Sequence, residues 1–493
     1  MNPAPPSRTL ILRAAAALFA ALILAIGLVR AVLFLDDLAN MNHIGGIWMT
    51  LAQSLNAGVF YPPLHDDGYY AGTRYMPLLF CLLAAAARLS GNYLIAAKSV
   101  ALVALLGLLG ATAAGTWRLT RRPLDVVAIC GLVLAFPEGL RALLAPHADG
   151  LAVALSVAGV LAVAAAPTRT AWVGVAGILF ALAFATKFSA MAAPAAAIIF
   201  LVGRHRKAAV ALAAIEVVLI LGVIGFCQLF SHGRFAENFR ALGGGGMSFD
   251  TILIGPGRTV GALKISSQIA FVAPLVMPLA LLTLYEHFRE RRFTLWDWYF
   301  LTTLATTLVI FTSPGTDPNH LLELDVVGIL VIAQRLAAPA AAAAPPKPLD
   351  AIATRVVVLA ALVIAWFVLI TAEPEERLPL ATLAEQLPKE LHLLTEDATP
   401  VVLLHQRPVV MDAFTFRLLA ERGVIDDGPL VRRIEAREFN ALVMLHRVDD
   451  AEDRLNRFHF TPEVQKALKK KYQFDQQVGQ YFLYRPVAAA DEH

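Results

Sequence analysis

Runs of roughly twenty almost uninterrupted apolar residues, the length that crosses a hydrocarbon core, recur along most of this chain. AALFAALILAIGLVRAVLFL (16–35) is the first of them. No soluble core absorbs so many, and with 58% hydrophobic and only 16% charged residues among 493 the chain has few polar residues to cover them. The pattern predicts a polytopic α-helical membrane protein. About eleven spans are expected, near 12–35, 93–117, 124–140, 150–166, 171–186, 189–203, 208–230, 268–285, 297–312, 321–335 and 352–371. The first is too long for a signal peptide and ends in charge, so it is expected to stay as an anchor. Met76 to Ala87 is too short to cross and is expected to dip into the membrane from one side.

Basic residues orient such a chain. With the N-terminus in the cytoplasm, RLTRRP (118–123), PTRT (167–170), RHRK (204–207), HFRERR (287–292) and the Ala/Pro linker 334–350 fall on the same side. The opposite, outer side then receives LDD (35–37), the 61–80 stretch, the 137–150 loop, Lys187, the 231–263 loop, SPGTDPNHLLELD (313–325) and everything after about residue 373. This sidedness places a plasma (inner) membrane protein with its conspicuous acids, histidines and asparagines on one face.

Two domains are expected: 1–372, transmembrane, and 373–493, a small soluble α/β domain on the outer face. In the latter, short β-rich runs such as VVLLH, ALVML and YFLYRP alternate with polar helical stretches. GGGG (243–246) has no strand before it and no GK[ST] after it, so it reads as a loop and not a phosphate cradle. Cys81, Cys130 and Cys227 lack CxxC spacing, which predicts neither a disulfide framework nor a zinc site. A formal net charge of +3 gives no reason to expect nucleic acid as a partner.

The polar residues in apolar surroundings are the candidate site. Asp36 and Asp37 leave the first span; they are either a solvated helix end or a base and its orienter, since desolvation and mutual repulsion raise a carboxyl pKa. His43 follows, either interfacial or in the site. YPPLHDDGYYAGTRYMPLLF (61–80) sets four tyrosines and Arg74 before an apolar run. Its Asp66-Asp67-Gly68 suits a turn, while Arg74 and Tyr75 are expected at the headgroup level with Tyr69 and Tyr70. Asp149 in APHADGL is a helix cap or a site residue. Lys187, between two apolar runs, needs an anionic partner or a route to water. Asn319 and Glu323 have i,i+4 spacing with His320 beside them, and a carboxylate one turn inside a membrane helix needs a partner or a substrate.

LDD after the first span, GTRYMPLLF, the Asp149 loop, the Thr186-Lys187 turn and PNHLLELD together resemble the polyprenyl-phosphate-dependent glycosyltransferases of the GT-C superfamily. The similarity is to the bacterial branch related to protein mannosyltransferases and lipid A aminoarabinose transferases. The resemblance implies an outer-face cleft, a lipid-phosphate sugar donor and a catalytic aspartate in the first outer loop, here Asp37 or Asp36, with Asp66 and Asp67 as alternatives. His43 stands where the family's acidic pair usually lies. Arg74, ahead of a proline, would hold the carrier phosphate; His43, Tyr75, Asp149, Lys187, Asn319, His320 and Glu323 would line the substrate site. The expected partners are a polyprenyl-phosphate-linked sugar donor, a glycan, lipid or protein acceptor, and membrane lipids. No cofactor is required, although clustered acids permit a divalent metal. A secondary transporter of a small polar or anionic solute and a membrane assembly protein are the other classes such a chain suits, but binding groups gathered at one face without repeated halves fit a transporter less well.

Overall fold

A computed structural model describes residues 8–39, 41–242, 249–270, 272–313, 315–337, 348–372, 377–388, 392–450 and 456–487. The glycine run 243–246, most of the Ala/Pro linker and the expected domain boundary at 373 lie outside these residues. The helices, in chain order, are α1 (Arg8–Leu33), α2 (His43–Asn56), α3 (Pro77–Ser90), α4 (Tyr93–Thr120), α5 (Pro123–Ala135), α6 (Pro137–Leu144), α7 (Ala148–Ala165), α8 (Thr170–Thr186), α9 (Ala192–Val202) and α10 (Arg206–Phe230). They continue with α11 (Arg234–Leu242), α12 (Phe249–Ala270), α13 (Ala273–Arg289), α14 (Leu295–Ile310), a 3₁₀ turn at Pro318–Leu321, α15 (Leu322–Leu336) and α16 (Pro348–Thr371).

Among the described residues, five helices are long and apolar enough to cross a membrane: α1, α4, α7, α10 and the Ile352–Thr371 part of α16. The bent pair α5/α6 makes a sixth if it counts as one span. The protein is thus a multi-pass helical membrane protein, but about eleven full-length spans are not found. At the other expected positions α8, α9, α13, α14 and α15 have 17, 11, 17, 16 and 15 residues, which at about 1.5 Å per residue fall short of a ~30 Å core.

The expected span 124–140 is broken at Phe136, and α5 and α6 meet at 79°. Pro137 has no N–H to continue the ladder and pushes Phe136 into extended backbone, φ −80° and ψ 137°. Gly139 permits the sharp bend, because a Cβ there would run into the Val133 carbonyl. The expected outer loop 231–263 is also revised, since α11 and most of α12 occupy it.

Two ends of the bundle differ in chemistry. At one, the basic loops meet helix ends: Arg13 pairs with Asp125 at 3.2 Å, Arg122 donates to the Leu336 carbonyl, and Arg204 donates to that of Phe293. At the other end lie Asp37, Asp149, Lys187 and His320, as the loop partition requires.

The C-terminal part forms a four-stranded sheet from β3 (Leu393–Thr395), β4 (Ala441–Met444), β5 (Tyr472–Val478) and β6 (Tyr481–Pro486), after a small hairpin of β1 (His65–Asp66) and β2 (Tyr69–Tyr70) near the N-terminus. Sheet order is β3-β4-β6-β5, with β3 and β4 parallel and the other pairs antiparallel. The hairpin turns at Asp67 and Gly68, both at positive φ (44° and 75°), as the turn reading of Asp66-Asp67-Gly68 expects. It docks on the C-terminal part through Tyr70 N–H to the Val409 carbonyl and Met411 N–H to that of Tyr70, 2.9 Å each. Tyr69 and Tyr70 are buried by this docking and do not stand at a headgroup level. Gly72 serves the same packing: a Cβ there would come within 2.9 Å of Leu419 Cδ1. One apolar cluster joins α2 and α3 to β4 and β6, so the C-terminal part sits on the bundle as a continuous core.

Asp37 is part of that junction. Its side chain is 1% exposed, and Oδ1 accepts from the Ala39 and Leu378 backbone N–H groups at 2.8 and 2.9 Å while Oδ2 faces Arg377. Buried Lys98 donates to the carbonyls of Phe34, Asp37 and Ala39. Asp37→Ala should therefore destabilise the folded protein by roughly 1–3 kcal/mol, the cost of stranding buried donors. Thermal unfolding of the detergent-solubilised protein measures this, and an unchanged melting point would show the junction does not depend on the carboxylate.

Candidate functional site

A cavity of about 560 Å³ opens where the start of α7, the α8–α9 turn, the end of α14 and the 3₁₀ turn converge beneath the Arg74–Met76 segment. Arg74, Tyr75, Asp149, Lys187, Asn319 and His320 line it, six of the ten residues singled out in the sequence. His43 lines a smaller pocket of about 50 Å³ that shares Arg74, Tyr75, Gly315 and Asp317 with the first.

Local sequence explains the convergence. Pro146 separates α6 from α7, so Asp149 enters in the first turn of α7. Lys187 caps α8 in an extended conformation, φ −147° and ψ 117°, which swings its side chain back toward Asp149. Pro318 opens the 3₁₀ turn that presents Asn319 and His320. Lys187 Nζ donates to Asp149 Oδ1 and, at 2.9 Å, to His320 Nδ1, while Asn319 Nδ2 donates to Asp149 Oδ2 at 2.8 Å. The lysine has thus found its anion, and both carboxylate oxygens are engaged. Since His320 Nδ1 accepts, the ring proton sits on Nε2.

Among the described residues Arg74 has no ion-pair partner and the Asp317 carboxylate has no side-chain partner; both face the two pockets. Two buried polar atoms of lining residues are also unsatisfied, Trp48 Nε1 and Asn319 Oδ1. The ring of Trp48 lies 4.4 Å from that of Tyr75, and with Met76, Phe188, Met191, Phe239, Val309 and Ile310 it makes much of the wall apolar. The cavity therefore offers an apolar wall, an uncompensated cation, an uncompensated carboxylate and spare donor and acceptor atoms.

Three candidates lie elsewhere. Asp37 is buried in the domain junction and Asp36 is solvent-exposed, its side chain 72% accessible and 3.5 Å from Arg377; neither lines the cavity. The chain turns after Phe34 and pairs Asp37 with Pro379, which takes Asp37 into the contact with the C-terminal part and leaves Asp36 at the surface. Glu323 accepts from the Tyr299 hydroxyl at 2.7 Å and does not line the cavity. The helix begins at Leu322, after a 3₁₀ turn, so Asn319 and Glu323 part toward Asp149 and Tyr299 in place of the shared face the i,i+4 spacing suggested.

Sequence reasoning missed Asp317, Trp48 and His147. Asp317 stands in a Pro- and Gly-rich stretch, and Trp48 is buried at 1% exposure. His147 was passed over in favour of Asp149, yet it accepts from Asn42 Nδ2 at 3.2 Å, and Asn42 in turn caps α2 by accepting from the Gly45 N–H. Burial pushes the His147 imidazole below its ordinary range.

No family model and no curated protein matches the sequence. Solved structures do match. Lipid A aminoarabinose transferase ArnT from Cupriavidus metallidurans, bound to undecaprenyl phosphate, aligns at TM-score 0.59 with 13% identity, over 95% of this chain and 98% of that one. The oligosaccharyltransferase AglB from Archaeoglobus fulgidus, in complex with an inhibitory peptide and a dolichol-phosphate, aligns at TM-score 0.53 with 12% identity, over 98% of this chain and 74% of that one. The chain shares the fold of these two structures. At such identity the likeness is one of architecture, and the site must be argued from its own residues.

Two outcomes follow from the geometry. Lys187→Met leaves Asp149 as an uncompensated buried charge and should cost roughly 3–5 kcal/mol, while adding Asp149→Asn should recover much of the loss; unfolding of the single and double variants checks the coupling. Burial, and then the neighbouring Lys187, push His320 down to about 3. The unfolded chain takes up that proton near pH ~6.5, so stability is full above this value and declines as the pH falls toward 3. Melting curves across that window should flatten in His320→Gln.

Proposed function

We propose that the protein is a membrane glycosyltransferase that moves a sugar from a polyprenyl-phosphate-linked donor to a hydroxyl of a glycan, lipid or protein acceptor on the outer face of the membrane. The observation that carries the reading is the uncompensated pair, Arg74 and Asp317, facing a largely apolar cavity in a fold shared with a transferase crystallised with undecaprenyl phosphate. In this reading the basic-loop end of the bundle faces the cytoplasm, with the N-terminus, and the cavity and C-terminal domain face outward.

The chemistry follows from charge. A sugar linked to a polyprenyl phosphate carries its own leaving group, and the bond to the anomeric carbon breaks as negative charge grows on the phosphate. Arg74 holds two phosphate oxygens with its planar fork, and Lys187 adds positive potential while staying fixed by Asp149 and His320. The apolar wall takes the first isoprene units. The acceptor hydroxyl needs a base, and Asp317 supplies one at the rim, where among the described residues it forms no ion pair. Attack opposite the leaving phosphate inverts the anomeric centre. Asp36 and Asp37, which the sequence favoured as bases, instead hold the outer domain in place.

Transfer of labelled sugar from a lipid-linked donor in proteoliposomes tests this. Asp317→Asn should lower turnover by about 10²-fold or more with the melting point unchanged. Near-normal turnover in that variant, with a large loss in a well-folded Asp37→Asn, would return the base to Asp37. Arg74→Ala should raise the donor concentration needed for half-maximal rate at least tenfold, and Arg74→Lys should recover only part of it. Unchanged donor dependence would leave Arg74 as an interfacial anchor.

A further inference from the structure

Behind the smaller pocket, inside the C-terminal domain, three metal-ligating side chains converge that glycosyl transfer does not use. Glu396 follows β3 and His446 follows β4; because these strands are parallel neighbours, their C-terminal ends deliver both side chains to the same edge of the sheet. His459 closes a short helix, Asn456–His459, above that edge. All three are buried, at 1%, 2% and 2% exposure. One ligand atom from each lies within 4.8 Å of the other two. His446 Nδ1 stands 2.8 Å from Glu396 Oε2, and His459 Nδ1 faces Glu396 Oε1.

We propose that Glu396, His446 and His459 bind a zinc ion that pins the C-terminal part together beside the start of α2. Two imidazoles and one carboxylate are a donor set zinc accepts, and the three leave a fourth tetrahedral position. His43, the first residue of α2, borders the cluster, its ring centroid 5.4 Å from that of His459. Two imidazoles on one tetrahedral ion sit at roughly this spacing, about 5 Å. His43 is not among the three whose ligand atoms lie within 4.8 Å of one another, so it stands beside the open fourth position, and the ion ties the ends of β3 and β4 to the helix Asn456–His459.

A hydrogen-bonded cluster without metal would need both histidines to spend an Nδ1–H on one carboxylate, deep in a core where an apolar trio would pack at less cost. An ion instead takes both Nδ1 lone pairs and neutralises the carboxylate. The consequence reaches the pocket: Phe458 precedes His459, lines the smaller pocket and stacks on Phe414 at 4.5 Å, and His43 lines the same pocket. Spacing hid the site from the sequence, where Glu396 and His446 are 50 residues apart and the cysteines gave no zinc pattern.

The full-length protein, purified in detergent with a histidine-free tag, stripped with a chelator and re-exposed to zinc chloride, should retain one zinc per chain by mass spectrometry of the metal. Its melting point should rise with zinc, and cobalt(II) should give the visible absorption of a four-coordinate site. His446→Ala and His459→Ala should each weaken zinc binding at least a hundredfold and abolish the melting shift, and His43→Ala should weaken it less. If a variant does not fold, the wild-type stoichiometry and cobalt spectrum decide alone. Wild-type protein that takes up no stoichiometric zinc, or zinc retained undiminished in both folded histidine variants, overturns the site. Metal content is read without turnover, so this result stands apart from the glycosyltransferase reading.

Discussion

A lysine at the end of an apolar helix is costly unless it finds an anion, and the cavity is built around its compensation. Lys187 cannot stay charged beside Phe184 and Phe188 without an anion, and Asp149 is the only carboxylate that its side chain reaches among the described residues. Meeting that demand ties the start of α7 to the end of α8. Asn319 and His320 close the arrangement from a third element, the 3₁₀ turn before α15. Three separate stretches of chain are thereby held at fixed positions around an open space, as a binding site requires.

The open space itself comes from interrupted helices. A bundle of unbroken spans would pack its axis shut. Here Pro137 bends α5 away from α6, Pro146 restarts the chain as α7, and Pro318 replaces the first turn of α15 by a tighter one. Each break frees backbone groups and shifts a polar side chain to a helix mouth, where non-helical chain is tolerated because it lines a cavity. The unbroken part of the same bundle is apolar and closely packed: α15 buries twelve of its residues, among them Val326, Val327, Ile329 and Ile332.

Much of this was legible in sequence because it is a matter of hydropathy and of charge in the wrong solvent. Arg74, Asp149, Lys187, Asn319 and His320 all stand out as polar groups beside apolar runs, and all five line the cavity. Span lengths were less legible, since a run such as 189–203 is apolar enough to cross yet forms a helix of only 11 residues. Asp36 and Asp37 misled for a related reason. Their position at the mouth of the first span is visible in the sequence, but their partners, Arg377 and the Leu378 N–H, lie some 340 residues away. Asp317 shows the converse. Nothing local distinguishes it from a turn residue, and only the pocket around it gives its lack of a partner any meaning.

The C-terminal part contributes to the site more directly than its separate composition suggests. Asp412, Phe414, Thr415 and Phe458 form one wall of the smaller pocket, facing His43 and Arg74 of the bundle across it. Asp412 is tied by accepting from the Thr415 backbone and hydroxyl, which keeps that wall rigid. The two pockets share Ile44, Arg74, Tyr75, Gly315 and Asp317, so they meet where, among the described residues, one cation and one carboxylate are both unspent, and the contact between the C-terminal part and the bundle sets the width of the smaller one.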